Sequence, residues 1–204
     1  MTLRKLITSI PASMRSVAGG ICAAVLLTVA TPAITAYADE PAPEHSTARF
    51  ETHFLREMID HHHMAVMMAE TCLMKALHEP LLTMCASIQT TQQMEIAMLQ
   101  SWLADWYGIN HEPQMRRSDM REMESLAALP PEEYEVAFMN SMISHHLQAL
   151  ESSSSCLVRA GHGELIGMCA DIIAAQAKEI ETLRDWLCKW YDVCHLRHDH
   201  RGRH

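Results

Sequence analysis

Glycine and aromatic residues are scarce in this chain of 204 residues, which holds 7 Gly, 3 Phe and 4 Tyr. With 8 Pro, 49% apolar and 20% charged residues, it is a foldable chain rather than a disordered one. Alternating apolar and polar residues never persist beyond a few positions, which removes the case for β-strands. Positive charge is also short. Sixteen Lys and Arg stand against 25 Asp and Glu, a net charge of −9, and no long basic stripe exists. That balance excludes a protein that neutralises nucleic-acid phosphates. Signatures of catalysis are missing too. There is no Cys-x-x-Cys-His for covalent haem and no Ser-His-Asp or Cys-His arrangement. A di-iron carboxylate bundle needs Glu-x-x-His on two helices, whereas Glu57 precedes His61 by four and its repeat counterpart is Ser141. The expectation is a protein that is not an enzyme, with a metal- or haem-dependent bundle enzyme as a weaker alternative.

What the chain has in excess is 16 Met and 14 His. Residues 1–38 read as a signal peptide: Arg4, Lys5 and Arg15, then an apolar run from Val17, then Ala36-Tyr37-Ala38 as a cleavage site ending at Ala38. The alternative is an uncleaved anchor, which would confine membrane contact to this segment. Cleavage removes three positive charges and no acid, so the mature chain carries −12 and keeps all its His. A periplasmic or secreted location follows. Residues 39–49 are expected to be a disordered mature N-terminus, and the His-rich 195–204 a solvated tail or a loose scavenger of divalent metal or copper.

Shifting the sequence by 84 residues aligns Phe54–Tyr107 with Phe138–Tyr191, giving 23 identities in 54 positions. Composition alone would give about 3 or 4, so the domain at 50–194 is a duplication, with repeats at 50–108 and 134–192 and a linker at 109–133. Each repeat predicts two helices. Phe50 to Leu77 has no Pro or Gly, Pro80 restarts the chain, and Cys85, Ile88, Gln92, Ile96, Leu99, Leu103 and Trp106 form a core-facing stripe. The linker holds a short amphipathic piece with Met115, Met120 and Met123. The fold class is therefore all-α: a ferritin-like four-helix bundle made of two duplicated hairpins.

On a helix of about 100° per residue, Met58, His61, His62, Ala65, Met68 and Cys72 share a face about 120° wide, with Met64 at its edge. The second repeat keeps Met142, His145, His146, Ala149 and Cys156 on the matching face. Thioethers beside imidazoles suit a soft monovalent ion, Cu(I), and Ag(I) by similarity. Met58, His61, His62, Met64, Met68, Met142, His145 and His146 are thus candidate metal ligands. The competing reading makes the Met core filling and the His hydrogen-bonded core residues, leaving a structural or stress-associated bundle. Repeat two is the poorer site, because Met64 becomes Gln148 and Met68 becomes Ser152.

Cys72/Cys85 and Cys156/Cys169 share one spacing about the two turns, which in an exported protein reads as two hairpin disulfides. Thiolate copper ligation is the alternative. Cys188 and Cys194 pair only if their helix breaks after about Tyr191. A hairpin that joins Cys72 to Cys85 sets His62 opposite Glu95, and its copy sets His146 opposite Glu179. Those carboxylates can fix the imidazole tautomers.

Met58-Ile59-x-His61-His62-x-x-Ala65, its copy from Met142 to Ala149, and the Gln92-x-x-Glu95-Ile96-x-x-Leu99-x-x-Trp102 string resemble the CopM-like family, domain of unknown function 305. The resemblance spans residues 50–191 and implies an exported, bacterial four-helix protein, with members that bind copper and silver and support copper tolerance. The third motif position, commonly Pro in that family, is Asp60 and Ser144 here.

Overall fold

A computed structural model describes residues 40–194; the signal segment with Ala38 and the tail at 195–204 lie outside the described residues. The described chain is all-helical: α1 (His45–Lys75), α2 (Glu79–Tyr107), α3 (Arg117–Ala127), α4 (Pro131–Arg159) and α5 (Gly163–Tyr191). No described helix is long and apolar enough to cross a membrane.

Local chemistry sets the boundaries. α1 runs without Pro or Gly and stops at Ala76, whose backbone is extended. Pro80 then sits in the first turn of α2, where its missing N–H costs nothing. Pro131 opens α4 in the same way, followed by Glu132 and Glu133 at the positive end of the helix dipole. α2 closes on Gly108 at φ 64, a left-handed conformation that glycine adopts without a Cβ clash. The short helix α3 occupies the linker, where its single buried residue, Leu126, docks on the core.

α1 packs on α2 and α4 on α5 as antiparallel hairpins, and the hairpins meet through α1 and α4. That meeting is antiparallel: Glu51 reaches Gly161, the His61 carbonyl meets His145, and Glu135 reaches Leu77. Two apolar clusters result, and each draws on all four long helices. One contains Leu55 and Ile59 with Leu103, Ala149 and Ile172; the other contains Met68 and Ile88 with Phe138 and Leu183. Fully burying a Leu, Ile or Phe contributes roughly 1.5–3 kcal/mol, so the mixed clusters bind the duplicated halves into one domain.

Among the described residues the disulfides are Cys72–Cys85, Cys156–Cys169 and Cys188–Cys194. The third pair forms because α5 ends at Tyr191 and Asp192 turns back at φ 56. Each hairpin bridge contributes about 3 kcal/mol on the chain-entropy account. One boundary differs from expectation. The stretch 39–49, read as disordered, contains the start of α1 at His45 and a buried Ala42. The cause is a docking contact: His162 Nε2 donates to the Glu40 carbonyl (2.8 Å) and Ala42 N–H to the Tyr107 oxygen (3.4 Å).

Two buried carboxylates hold the α1–α4 crossing. Glu51 accepts from the backbone N–H groups of Gly161 (2.6 Å) and His162 (3.1 Å) and from the Tyr107 hydroxyl (2.5 Å), with His162 Nδ1 at 2.6 Å. Glu135 mirrors it, accepting from the N–H groups of Leu77 (2.5 Å) and His78 (2.9 Å) and from the Tyr191 hydroxyl, with His78 Nδ1 at 2.6 Å. Trp106 and Trp190 stack on the far faces of His162 and His78 at 3.7 and 4.1 Å.

Burial alone would raise the pKa of both carboxyls, but the converging donors outweigh it and hold them below the usual 4.5. The folded state therefore binds fewer protons than the unfolded chain. The stability these groups contribute is complete above pH 4.5 and is lost as pH falls through their depressed pKa values. Glu51→Gln and Glu135→Gln should each cost about 2–4 kcal/mol at pH 7, because a buried charged acceptor is lost from several donors at once. Denaturant unfolding of each variant from pH 7 to 3 measures this: wild type should lose stability below pH 4.5, and the variants should lose less.

Candidate metal site

The four motif histidines lie where the two apolar clusters meet, on the middle turns of α1 and α4. Adjacent residues on a helix diverge by about 100°, so the two members of each His pair enter different surroundings. The ring centroids of His61 and His62 are 6.2 Å apart, and those of His145 and His146 are 6.1 Å apart.

The second members turn into their own hairpins. His62 Nε2 lies 2.8 Å from Glu95 Oε2, and His146 Nε2 lies 2.6 Å from Glu179 Oε2. Both imidazoles are fully buried. The first members meet across the hairpins. His61 and His145 stack with centroids 3.6 Å apart and planes 28° from parallel. His145 Nε2 donates to the His61 carbonyl (3.0 Å), which fixes the proton on Nε2 and leaves Nδ1 with a bare lone pair.

Unpartnered nitrogen is the shared feature of this cluster. The Nδ1 atoms of His61, His62, His145 and His146 are buried and have no hydrogen-bond partner, nor does Nε2 of His61; Nε2 of His146 lies within ion-pair distance of Glu179 without the geometry of a hydrogen bond. Leaving one buried polar group unsatisfied costs about 1–3 kcal/mol, so a group of them calls for a function. Burial foremost, and then the neighbouring imidazoles, hold His61 down to about pKa 3 and His145 well below 6.5. Both rings are therefore neutral, which is the form that ligates metal.

His61 and His145 open onto a cavity of about 690 Å³ lined also by Met58, Met64 and Met115. The thioethers come from α1 and from the linker, while α4 supplies His145, Gln148 and Ser152. The linker is tied over this face: Asp60 accepts from Gln114 N–H (2.8 Å) and pairs with His111 (2.8 Å), which brings Met115 to the rim. Glu57, Asp60, Asp119 and Glu122 also line the cavity and make its mouth acidic, tempered by Arg116 and Arg159. Among the described residues no three His, Cys, Asp or Glu side chains form a metal-holding group, so a site here depends on thioether sulfur.

The duplicated motif predicts two sites, one per repeat. The structure instead unites His61 of one repeat with His145 of the other at a single cavity, because α1 and α4 cross there. Gln148 and Ser152, which made the second site look weaker, are the other wall of the same cavity. Met68 and Met142 face the apolar core, at 2% and 0% exposure, rather than the cavity. His62 and His146 are likewise not among its lining residues. Sequence reasoning missed Met115 as a cavity residue, along with the buried pairs Glu51–His162 and Glu135–His78.

The chain matches the family described as a domain of unknown function (DUF305) over residues 51–133 and 135–204. No curated protein matches it. Among solved structures it is similar to CopM in the Cu(I)-bound form, at 27% identity and TM-score 0.63, over 69% of this chain and 97% of that one. It is also similar to CopM in the Ag-bound form obtained by co-crystallization, at 28% identity and TM-score 0.62, with the same coverage. A DUF305 fragment from Deinococcus radiodurans shares the fold at 23% identity and TM-score 0.63, over 74% of this chain and 99% of that one.

The depressed basicity is directly measurable. In metal-free protein the imidazole ¹⁵N resonances of His61 and His145 should not move between pH 8 and pH 5. A titration midpoint near the ordinary 6.5 for either ring would contradict the buried, mutually repelling arrangement.

Proposed function

The chain belongs to the DUF305 family, and on that footing we propose that it is an exported copper-binding protein that sequesters Cu(I), and Ag(I) by the same chemistry, at the α1–α4 cavity. In this reading Met58, His61, Met64 and His145 are the ligands, with Met115 supplied by the linker. One observation supports it above the others: unpartnered, neutral imidazole nitrogens of two different repeats are buried together at a cavity that Met58, Met64 and Met115 also line.

The chemistry favours a soft monovalent ion. Thioether sulfur is neutral at every pH and prefers Cu(I) to Cu(II), while imidazole adds a borderline donor without charge. The acidic mouth attracts cations electrostatically. Similarity to CopM, solved in Cu(I)-, Cu(II)- and Ag-bound forms, supports copper or silver as the cargo here. The three disulfides support a location outside the cytosol. Sequestration in that compartment is how the protein would support copper tolerance, by binding rather than by catalysis. His62 and His146, anchored by Glu95 and Glu179, would set the packing that orients the ligand-bearing turns.

Anaerobic Cu(I) titration of residues 39–204 against a competing chelator tests this. His61→Ala and His145→Ala should each weaken binding at least tenfold, about 1.4 kcal/mol, and the double variant should lose less than the product of the two. Met68→Leu and Met142→Leu should leave affinity unchanged. Unaltered Cu(I) binding in the His61→Ala, His145→Ala double variant would exclude the cavity as the site.

A further inference from the structure

Each hairpin ends in an aromatic clamp on the opposite hairpin's turn, but the two clamps are finished differently. After Trp106 and Tyr107 the chain turns through Gly108 at φ 64 and continues into the linker, where Gln100 Nε2 donates to the His111 carbonyl (2.9 Å). After Trp190 and Tyr191 the same left-handed position is Asp192 at φ 56, which Asp adopts more readily than most L residues but less readily than Gly, and Val193 N–H closes the turn on the Leu187 carbonyl (3.1 Å) as Ile109 closes the first on Leu103 (3.2 Å). Behind that turn Cys194 is tied to Cys188 of the same helix, with the two Cα atoms 4.3 Å apart. The aligned positions of the first repeat are Ala104 and Asn110, so the fastener belongs to the second clamp alone.

Its surroundings also set it apart from the other disulfides. Cys72, Cys85, Cys156 and Cys169 are all at 0% exposure. Cys188 is half-buried and Cys194 exposed. Thiol–disulfide exchange requires a thiolate to reach a sulfur along the S–S axis, so access separates this pair from the two sealed ones. The loop it closes is six residues, against thirteen for the others, so on chain-entropy grounds it is also the least favoured by folding. That loop encloses the two residues of the clamp: Trp190 stacked on His78, and Tyr191 donating to Glu135.

We propose that Cys188–Cys194 is a thiol–disulfide exchange site that fastens the second clamp, and that opening it loosens Trp190 and Tyr191 from the first hairpin's turn. The co-reactant is a dithiol. Its thiolate attacks Cys194 Sγ, forming a mixed disulfide, and the Cys188 sulfur leaves as a thiolate that takes up a proton. The second thiol of the reductant then attacks the mixed disulfide, releases the Cys194 sulfur as thiolate and closes into its own disulfide. The protein gains two electrons and two protons, and the dithiol loses the same. With the bridge open, nothing covalent compensates the unfavourable backbone at Asp192, and the last turn of α5 frays. The first clamp, finished by Gly108, does not respond. No metal enters this account, so it stands apart from the copper reading.

The test uses residues 39–204 with all three bridges formed. Graded dithiothreitol followed by alkylation and peptide mapping should label Cys188 and Cys194 at a concentration at least tenfold below that needed for the other four cysteines. Hydrogen exchange at that concentration should speed up at least tenfold at 76–79 and 187–193, while 103–108 and 160–163 stay unchanged. The Cys188→Ser, Cys194→Ser double variant should show the same exchange pattern without reductant. Three bridges opening together would overturn the proposal. So would selective opening that leaves exchange at 76–79 unchanged, or a double variant that exchanges like wild type.

Discussion

A buried carboxylate that gathers hydrogen bonds from two backbone amides, a tyrosine hydroxyl and an imidazole is the constraint on which the structure depends, and it occurs twice. Glu51 reaches from the start of α1 to the turn between α4 and α5, and Glu135 reaches from the start of α4 to the turn between α1 and α2. Each is buried and ionised, so a shift of one helix along the other would strand a charge in an apolar junction. The α1–α4 register is fixed from both ends. With the ends fixed, the midpoints are fixed too, and His61 must lie over His145.

The cavity at the α1–α4 crossing is thus a product of the duplication rather than a feature of either copy. One repeat alone offers an imidazole, a few thioethers and an open helix face. Two copies crossed antiparallel bring two imidazoles to van der Waals distance and leave both nitrogens of His61 and Nδ1 of His145 unpartnered. Such an arrangement is unfavourable for protons, because two neighbouring imidazolium ions would repel in a medium of low dielectric. It is favourable for a soft ion of single charge. The two demands point the same way, which is why burial and ligand type reinforce each other here.

Much of this was legible in the sequence. The 84-residue repeat identified the hairpins, mirrored cysteines identified two bridges, and the hairpin register placed His62 beside Glu95 and His146 beside Glu179, the contacts at 2.8 and 2.6 Å. These are local relations, set by helix periodicity within one hairpin. What was not legible depends on how the hairpins cross. A helical wheel puts Met68 and Met142 on the same face as the histidines, but the crossing turns them into the core. It also hides the split within each His pair until the neighbouring helix is known. The carboxylate latches did leave a trace. Glu51 and Glu135, His78 and His162, and Tyr107 and Tyr191 are all related by the same 84-residue shift, and a buried acid duplicated with its own His and Tyr is a pattern that could have been searched for. Met115 left none, because it reaches the cavity through long-range contacts, those of Asp60 and Gln100, that fold the linker down.

The central claim is that the two repeats contribute to one metal site. Titration of ¹⁵N-labelled mature protein with Ag(I), read through the side-chain imidazole resonances, tests it most directly. The account predicts that His61 and His145 shift together within the first equivalent, with His62 and His146 following only weakly. First-equivalent shifts confined to the histidines of one hairpin, or to histidines outside the α1–α4 crossing, would contradict it.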